Sequence, residues 1–179
     1  AAMIVDEIQT GLGRTGALWA VDHVGVEPDV VTTAKGIANG LPMGATLVRE
    51  WIAEDAGNHG STFSGGPAVC AAANATLDVV ESEGLAENAS TVGAYLVEGI
   101  TDAVGDDVRD VRGEGLMVGI QVKRGANPLL AKLALDHGVL ALPAGRTVVR
   151  LLPPLVLSEA HADEFVEAIS AVVKARAES

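Results

Sequence analysis

Lysine is scarce in this chain of 179 residues. Twelve Lys+Arg face 24 Asp+Glu, a formal net charge of −12, and of the bases four are lysines: Lys35, Lys123, Lys132 and Lys174. Binding to a nucleic-acid backbone or an anionic membrane rests on clustered bases. Here the bases are outnumbered and form no stripe, so nucleic acid and membrane are excluded as partners. Cys70 is the one cysteine, which excludes an internal disulfide framework and any cysteine-based zinc or iron–sulfur site and points to a reducing, cytoplasmic compartment. His23, His59, His137 and His161 are not at ligand spacing from one another, so no metal is expected. No apolar run reaches the roughly 18 residues a bilayer requires. Residues 1–5, Ala-Ala-Met-Ile-Val, are followed at once by Asp6-Glu7 and lack the basic region and cleavage site of a leader. They read as a buried strand entered partway. With no initiator methionine and only 3% aromatic residues, the chain is expected to be a piece of something longer.

What is present is an alternation of apolar runs and small-residue loops. Residues 2–5 form a continuous apolar run, as in a parallel strand covered on both faces. Residues 17–23 suit a short helix, 29–34 a β-branched strand, and 43–48 another strand. Residues 68–83 and 85–104 have helical spacing and are separated by Gly84. Residues 109–111, 116–122, 139–142 and 147–152 read as strands, and 127–137 as a helix. A last helix starts after Ser158, a plausible N-cap. The pattern is α/β, with residues 1–84 as the end of a larger domain, 85–104 as a connecting helix and 105–179 as a small α+β domain.

Gly11-x-Gly13-x-x-Gly16 matches the dinucleotide fingerprint literally, which raises a nicotinamide-binding Rossmann fragment as a rival reading. In that fold the glycines follow the first strand directly and an acid about 20 residues on holds the ribose. Here residues 6–10 intervene, placing Asp6 and Glu7 where a phosphate would approach, and the next strand leads to Lys35. The two features argue against a dinucleotide.

Asp6 and Lys35 make a different pair. Both follow strand-like runs, and in one parallel sheet their C-terminal ends would open on the same edge, where α/β proteins bind ligands. Lys35 sits among Ala34, Gly36, Ala38 and Gly40, which leave room for a cofactor and are expected to keep water from the ammonium. A desolvated lysine forms imines and carries protons, and a carboxylate facing it across a heteroaromatic ring holds a pyridine nitrogen protonated. A lysine that merely closes a surface loop stays open as the alternative.

Three motifs in order carry a resemblance: Asp6-Glu7-Ile8-Gln9-Thr10-Gly11-x-Gly13-Arg14-Thr15-Gly16, then Thr33-Ala34-Lys35-Gly36 through Gly40-Leu41-Pro42-Met43-Gly44, then His59-Gly60-Ser61-Thr62-Phe63-Ser64-Gly65-Gly66-Pro67. The sequence resembles the class III pyridoxal-phosphate-dependent aminotransferases over almost its whole length. The resemblance implies fold type I and pyridoxal 5'-phosphate as cofactor. It makes Lys35 the imine-forming and proton-shuttling residue, and Asp6 the partner of the pyridine nitrogen. Ile8 would pack on the ring and Gln9 reach the ring hydroxyl, with Glu7 counted beside them on the cofactor side. Thr62 would bind the phosphate of the neighbouring subunit's cofactor in a homodimer, with Ser61 beside it near the substrate. Hydroxyls and backbone N–H groups ahead of a helix starting near Pro67 suit an anion.

Val148-Val149-Arg150-Leu151-Leu152 sets one arginine inside an apolar strand. An unpaired charge there is costly, so Arg150 is expected to meet an anion, either a structural carboxylate or a ligand. The resemblance makes it the bidentate binder of a substrate carboxylate. The run from Leu140 to Arg150 is similar to the acetylornithine branch, whose members act on acetylornithine, acetyl-lysine, or the same amines on an acidic carrier protein, in arginine and lysine biosynthesis. The expected reaction moves a terminal amino group to 2-oxoglutarate, giving a semialdehyde and glutamate. Ornithine or 4-aminobutyrate transamination, and a non-catalytic fragment, are the alternatives. Cys70 is expected in the core, and Trp19 and Trp51 as packing residues.

Overall fold

The computed structural model describes residues 1–57, 62 and 65–177, and the chain divides into two compact units, Ala1–Glu87 and Asn88–Ser179. In the first unit β1 (Ile4–Asp6), β2 (Val30–Thr33) and β3 (Ala45–Val48) form a sheet in that order. β1 and β2 run parallel, with Asp6 opposite Thr32, and β3 runs antiparallel to β2. Between β2 and β3 the chain makes a tight 3-10 turn, Lys35–Ala38, and passes Asn39 and Gly40 with φ of 45° and 103° before it reverses. Helices α1 (Glu50–Asp55) and α2 (Pro67–Ser82) follow. α2 begins with Pro67 at its first turn, where a missing N–H costs nothing. It packs on the Lys35–Ala38 turn through a small cluster of Leu12, Ile37, Ala38 and Ala73, with Trp19 and Ala72 against it.

Helix α3 (Leu85–Val104) crosses the boundary between the units. The second unit adds β4 (Asp110–Glu114), β5 (Met117–Gln121), α4 (Asn127–His137), β6 (Leu142–Ala144), β7 (Val148–Leu151) and α5 (Glu159–Ala177). Its sheet is antiparallel throughout, in the order β4-β5-β7-β6. Leu96, Ile100, Leu116, Ile120, Leu133, Val149 and Ile169 are the heart of a continuous core of this unit. The β4–β5 hairpin turns on Gly115 (φ 54°) and Leu116. Gly93 of α3 faces that turn so closely that a Cβ on it would lie 2.1 Å from the Gly115 carbonyl oxygen.

Five expectations are corrected. β1 is not covered on both faces: Ile4 is 67% exposed, because nothing among the described residues packs on its side of the strand. Residues 139–141 are not a strand. Gly138 (φ 67°) caps α4, its N–H bonding the Ala134 carbonyl as in a left-handed helix ending, and the Val139 N–H reaches back to the Leu133 carbonyl. Pairing therefore starts only at Leu142 and runs through Pro143 on the sheet edge, where a residue without an N–H is tolerated. Helix α1 has no counterpart in the sequence reading, and its Trp51 is 53% exposed rather than packed. Cys70 is half-buried, its thiol reaching the Gly65 carbonyl. Lastly, Lys35 is exposed: the turn it opens sends Ile37 and Ala38 inward, at 6% and 1% exposure, so Lys35 and Gly36 face out and the small neighbours do not exclude water.

Candidate active site at a sheet edge

Parallel pairing of β1 and β2 puts two functional groups at one end of the sheet. Asp6 closes β1 opposite Thr32, and Lys35 follows one residue after β2 ends at Thr33. The Asp6 carboxylate is held by one oxygen: Oδ1 accepts the Ile8 N–H at 3.0 Å and the Thr32 hydroxyl at 3.3 Å. Among the described residues Oδ2 has no partner, and neither has the Lys35 amine. Lys35 carries a left-handed backbone, φ 48°, an arrangement that costs a residue with a Cβ about 1–2 kcal/mol. Strain of that kind on a polar residue at a ligand-binding edge is a common companion of function.

The loop after β1 is built around Glu7, whose carboxylate is turned inward, 1% exposed. Oε1 accepts the Val21 N–H at 2.8 Å, Oε2 accepts the Thr10 hydroxyl, and the Glu7 N–H bonds the Thr32 carbonyl at 2.8 Å. Both oxygens of Glu7 are committed to the loop, so the geometry gives it a structural task instead of the cofactor contact expected of it. Ile8 and Gln9 are half-buried beside it, and the Gln9 amide has no partner among the described residues. Gly11 is required by contact: a Cβ there would lie 2.8 Å from the Trp19 ring and 2.9 Å from the Glu7 carbonyl. Gly11 of the literal dinucleotide fingerprint thus serves a turn closed over Trp19. Arg14 of the same loop loses water on burial, which pulls its guanidinium below its usual range.

Thr62 is exposed, four residues before the Gly66 N-cap of α2; Ser61 and His59 lie outside the described residues. Arg150 belongs to the second unit. On β7 it alternates with buried Val149 and Leu151 and lines a cavity of about 330 Å³ with Leu96, Leu142, Leu152, Pro154 and His161. Its Nε is buried without a hydrogen-bond partner. No carboxylate among the described residues pairs with it, so the structural salt bridge is not found there and the anion-binding alternative remains. Leu157, another lining residue, is held with Leu155 by Asn88, which donates to their carbonyls at 3.0 and 2.7 Å.

The structure brings Asp6 and Lys35 to one end of the sheet, sets Arg150 in the second unit, and adds beside Asp6 a residue the sequence did not single out, Thr32. Its link to Asp6 depends on strand register, which the sequence alone does not give.

The residues present suit a pyridoxal cofactor: an unpartnered carboxylate oxygen for a ring N–H and an unpartnered primary amine for the aldehyde stand at adjacent strand ends. Comparison with known proteins agrees. Residues 1–173 match the class-III aminotransferase family. The chain is 40% identical to acetylornithine aminotransferase of Methanosarcina mazei over 167 residues, 93% of this chain and 42% of that protein. It is 43% identical to LysW-aminoadipate semialdehyde transaminase of Deinococcus radiodurans over 175 residues, 97% of this chain and 41% of that protein. Among solved structures, an ornithine aminotransferase from Toxoplasma gondii with partial occupancy of PLP superposes with a TM-score of 0.94 at 34% identity, over 99% of this chain and 44% of that one. The chain therefore spans less than half the length of these relatives. By its motifs, its fold and the match over residues 1–173, it belongs to the class-III aminotransferases, a pyridoxal-phosphate-dependent family of fold type I.

Proposed function

We propose that the protein carrying this chain transfers a terminal amino group from an acetylornithine- or acetyl-lysine-type donor to 2-oxoglutarate, forming a semialdehyde and glutamate. The observation that carries this is the sheet edge where Asp6 Oδ2 and the Lys35 amine stand without partners among the described residues. Bound pyridoxal phosphate supplies an electron sink for the carbanion at the substrate carbon. Lys35 would hold the cofactor through its amine, which condenses with an aldehyde with loss of water, and would carry the proton at the substrate carbon. Asp6 holds the ring nitrogen protonated. Ile8 bears on the ring and the Gln9 amide takes the ring hydroxyl. Glu7 fixes the loop that carries both. Arg150 pairs with a substrate carboxylate by two parallel hydrogen bonds. Thr62 and Ser61 serve phosphate and substrate, Thr62 across a homodimer interface to the neighbouring subunit's cofactor. Residues 1–84 are then the end of the cofactor domain, 85–104 a connecting helix and 105–179 the small domain of a cytoplasmic enzyme.

Support for the donor class comes from the named activities of the Methanosarcina and Deinococcus relatives; the second of those names makes an amino-group carrier protein a candidate donor. The Toxoplasma structure favours ornithine as a second reading. A screen of acetylornithine, acetyl-lysine, ornithine and 4-aminobutyrate against 2-oxoglutarate separates them. Borohydride should fix cofactor to the wild-type protein and not to Lys35→Ala; labelling that survives the substitution would overturn the reading.

A further inference from the structure

We propose that Thr32 is a positioning residue for the cofactor's ring nitrogen, acting through Asp6; this rests on the aminotransferase reading. Parallel register sets Thr32 directly opposite Asp6, so the two side chains share one face of the sheet. The Thr32 hydroxyl donates to Asp6 Oδ1 at 3.3 Å, and the Ile8 N–H donates to the same oxygen at 3.0 Å. An aspartate carboxylate turns freely about its last torsion, whose preference is broad. One donor on Oδ1 leaves a pivot about which Oδ2 swings. Two donors from different strands' ends fix the carboxylate plane, and with it the direction of the unpartnered Oδ2. The hydroxyl is not satisfying a core requirement, because the contact lies at the exposed edge. Its neighbour Thr33 points the other way and is buried, so the paired threonines divide into one that faces the site and one that faces the interior.

A preset Oδ2 lets the ring N–H bond form without ordering the carboxylate at the moment of binding, the general benefit of preorganisation. Thr32 touches neither substrate nor cofactor in this scheme. Its loss should therefore weaken the cofactor bond and the electron sink while leaving recognition of the amino donor alone.

The test uses the full-length holoenzyme and three variants. Thr32→Val keeps the branched shape and loses the hydroxyl; Thr32→Ser and Thr32→Ala differ from each other by the hydroxyl alone. In Thr32→Val and Thr32→Ala we expect about a tenfold fall in kcat, equivalent to about 1.4 kcal/mol, with KM for the donor unchanged. Pyridoxal phosphate labelled at the ring nitrogen should show a nitrogen NMR shift moved toward the unprotonated value, and its Kd should rise about tenfold. Thr32→Ser should track the wild type in all three. If Thr32→Val does not fold, the Ser and Ala pair carries the comparison. A ring-nitrogen shift and kcat equal to wild type in the variants lacking a hydroxyl would overturn the role of Thr32 alone. Failure of the wild-type protein to take up the cofactor through Lys35 would instead overturn the reading beneath it.

Discussion

At the scale of single residues, the hydroxyls of two adjacent threonines have opposite consequences. Thr32 has a partner at the sheet edge; the Thr33 hydroxyl, 2% exposed, has none. A buried polar group without a partner costs about 1–3 kcal/mol, and valine has the same shape. Thr33→Val should therefore raise stability by about 1 kcal/mol, read as a higher urea midpoint with an unchanged slope. A lower midpoint would mean that the hydroxyl has found a partner. Tyr95 offers a second check. Its hydroxyl donates to Asp163 at 2.7 Å, and that bond, with the carboxylate's charge, holds the phenol above its ordinary range. A raised value in the folded state means that the bond stabilises fully below the ordinary phenol range of about 10 and is lost as pH climbs through the shifted value. Asp163→Asn should bring the ultraviolet titration of Tyr95, taken as the difference from Tyr95→Phe, back toward that range. The candidates Asp6, Lys35 and Arg150 stood out at this scale because each pairs a reactive group with an anomalous position in an apolar pattern. The inward turn of Glu7 was not legible for a physical reason: it depends on Val21, fourteen residues away, and adjacency to Asp6 says nothing of where a carboxylate points.

At the scale of elements, legibility followed the hydrogen-bond ladder. α3 and α4 were placed to the residue, since helix bonds are local and their ends are marked by Gly84 and Gly138. β6 was not, because an apolar run such as residues 139–142 names a candidate strand but the partner strand and the preceding helix cap decide where pairing begins. α1 escaped because six residues are too few to display a helical period. Two close packings set the positions that matter. Ala73 of α2, 4% exposed, lies against the turn that carries Lys35. Ala73→Leu should overfill that contact, lower stability by about 1–3 kcal/mol and slow cofactor capture by Lys35; capture at the wild-type rate would show that the turn is positioned by something other than α2. Gly93 in the second unit meets backbone, which cannot step aside as a side chain can. Gly93→Ala should cost about 3 kcal/mol by forcing the β4–β5 turn off α3, seen as a lower melting temperature and faster amide exchange at Met117 and Val118.

For the whole molecule the governing quantity is charge. With a net charge of −12 and few bases to offset it, the described chain has three ion pairs, two of them sharing Arg49. The remaining acids repel one another across a solvated surface, which destabilises the compact state. Salt screens that repulsion, to a Debye length of about 3 Å at 1 M. The melting temperature should accordingly climb as sodium chloride is raised from low concentration to about 1 M, and a flat profile would show that the acids are spaced too widely to matter.

The left-handed backbone at Lys35 has its own implication for laboratory evolution. Any screen that rewards heat resistance without asking for turnover should accumulate glycine at this position, since glycine adopts such a φ without penalty. If Lys35 is the imine-forming residue proposed above, the variants that survive longest would be catalytically dead, and a selection scheme for a sturdier version of this protein would have to keep the reaction under selection from its first round.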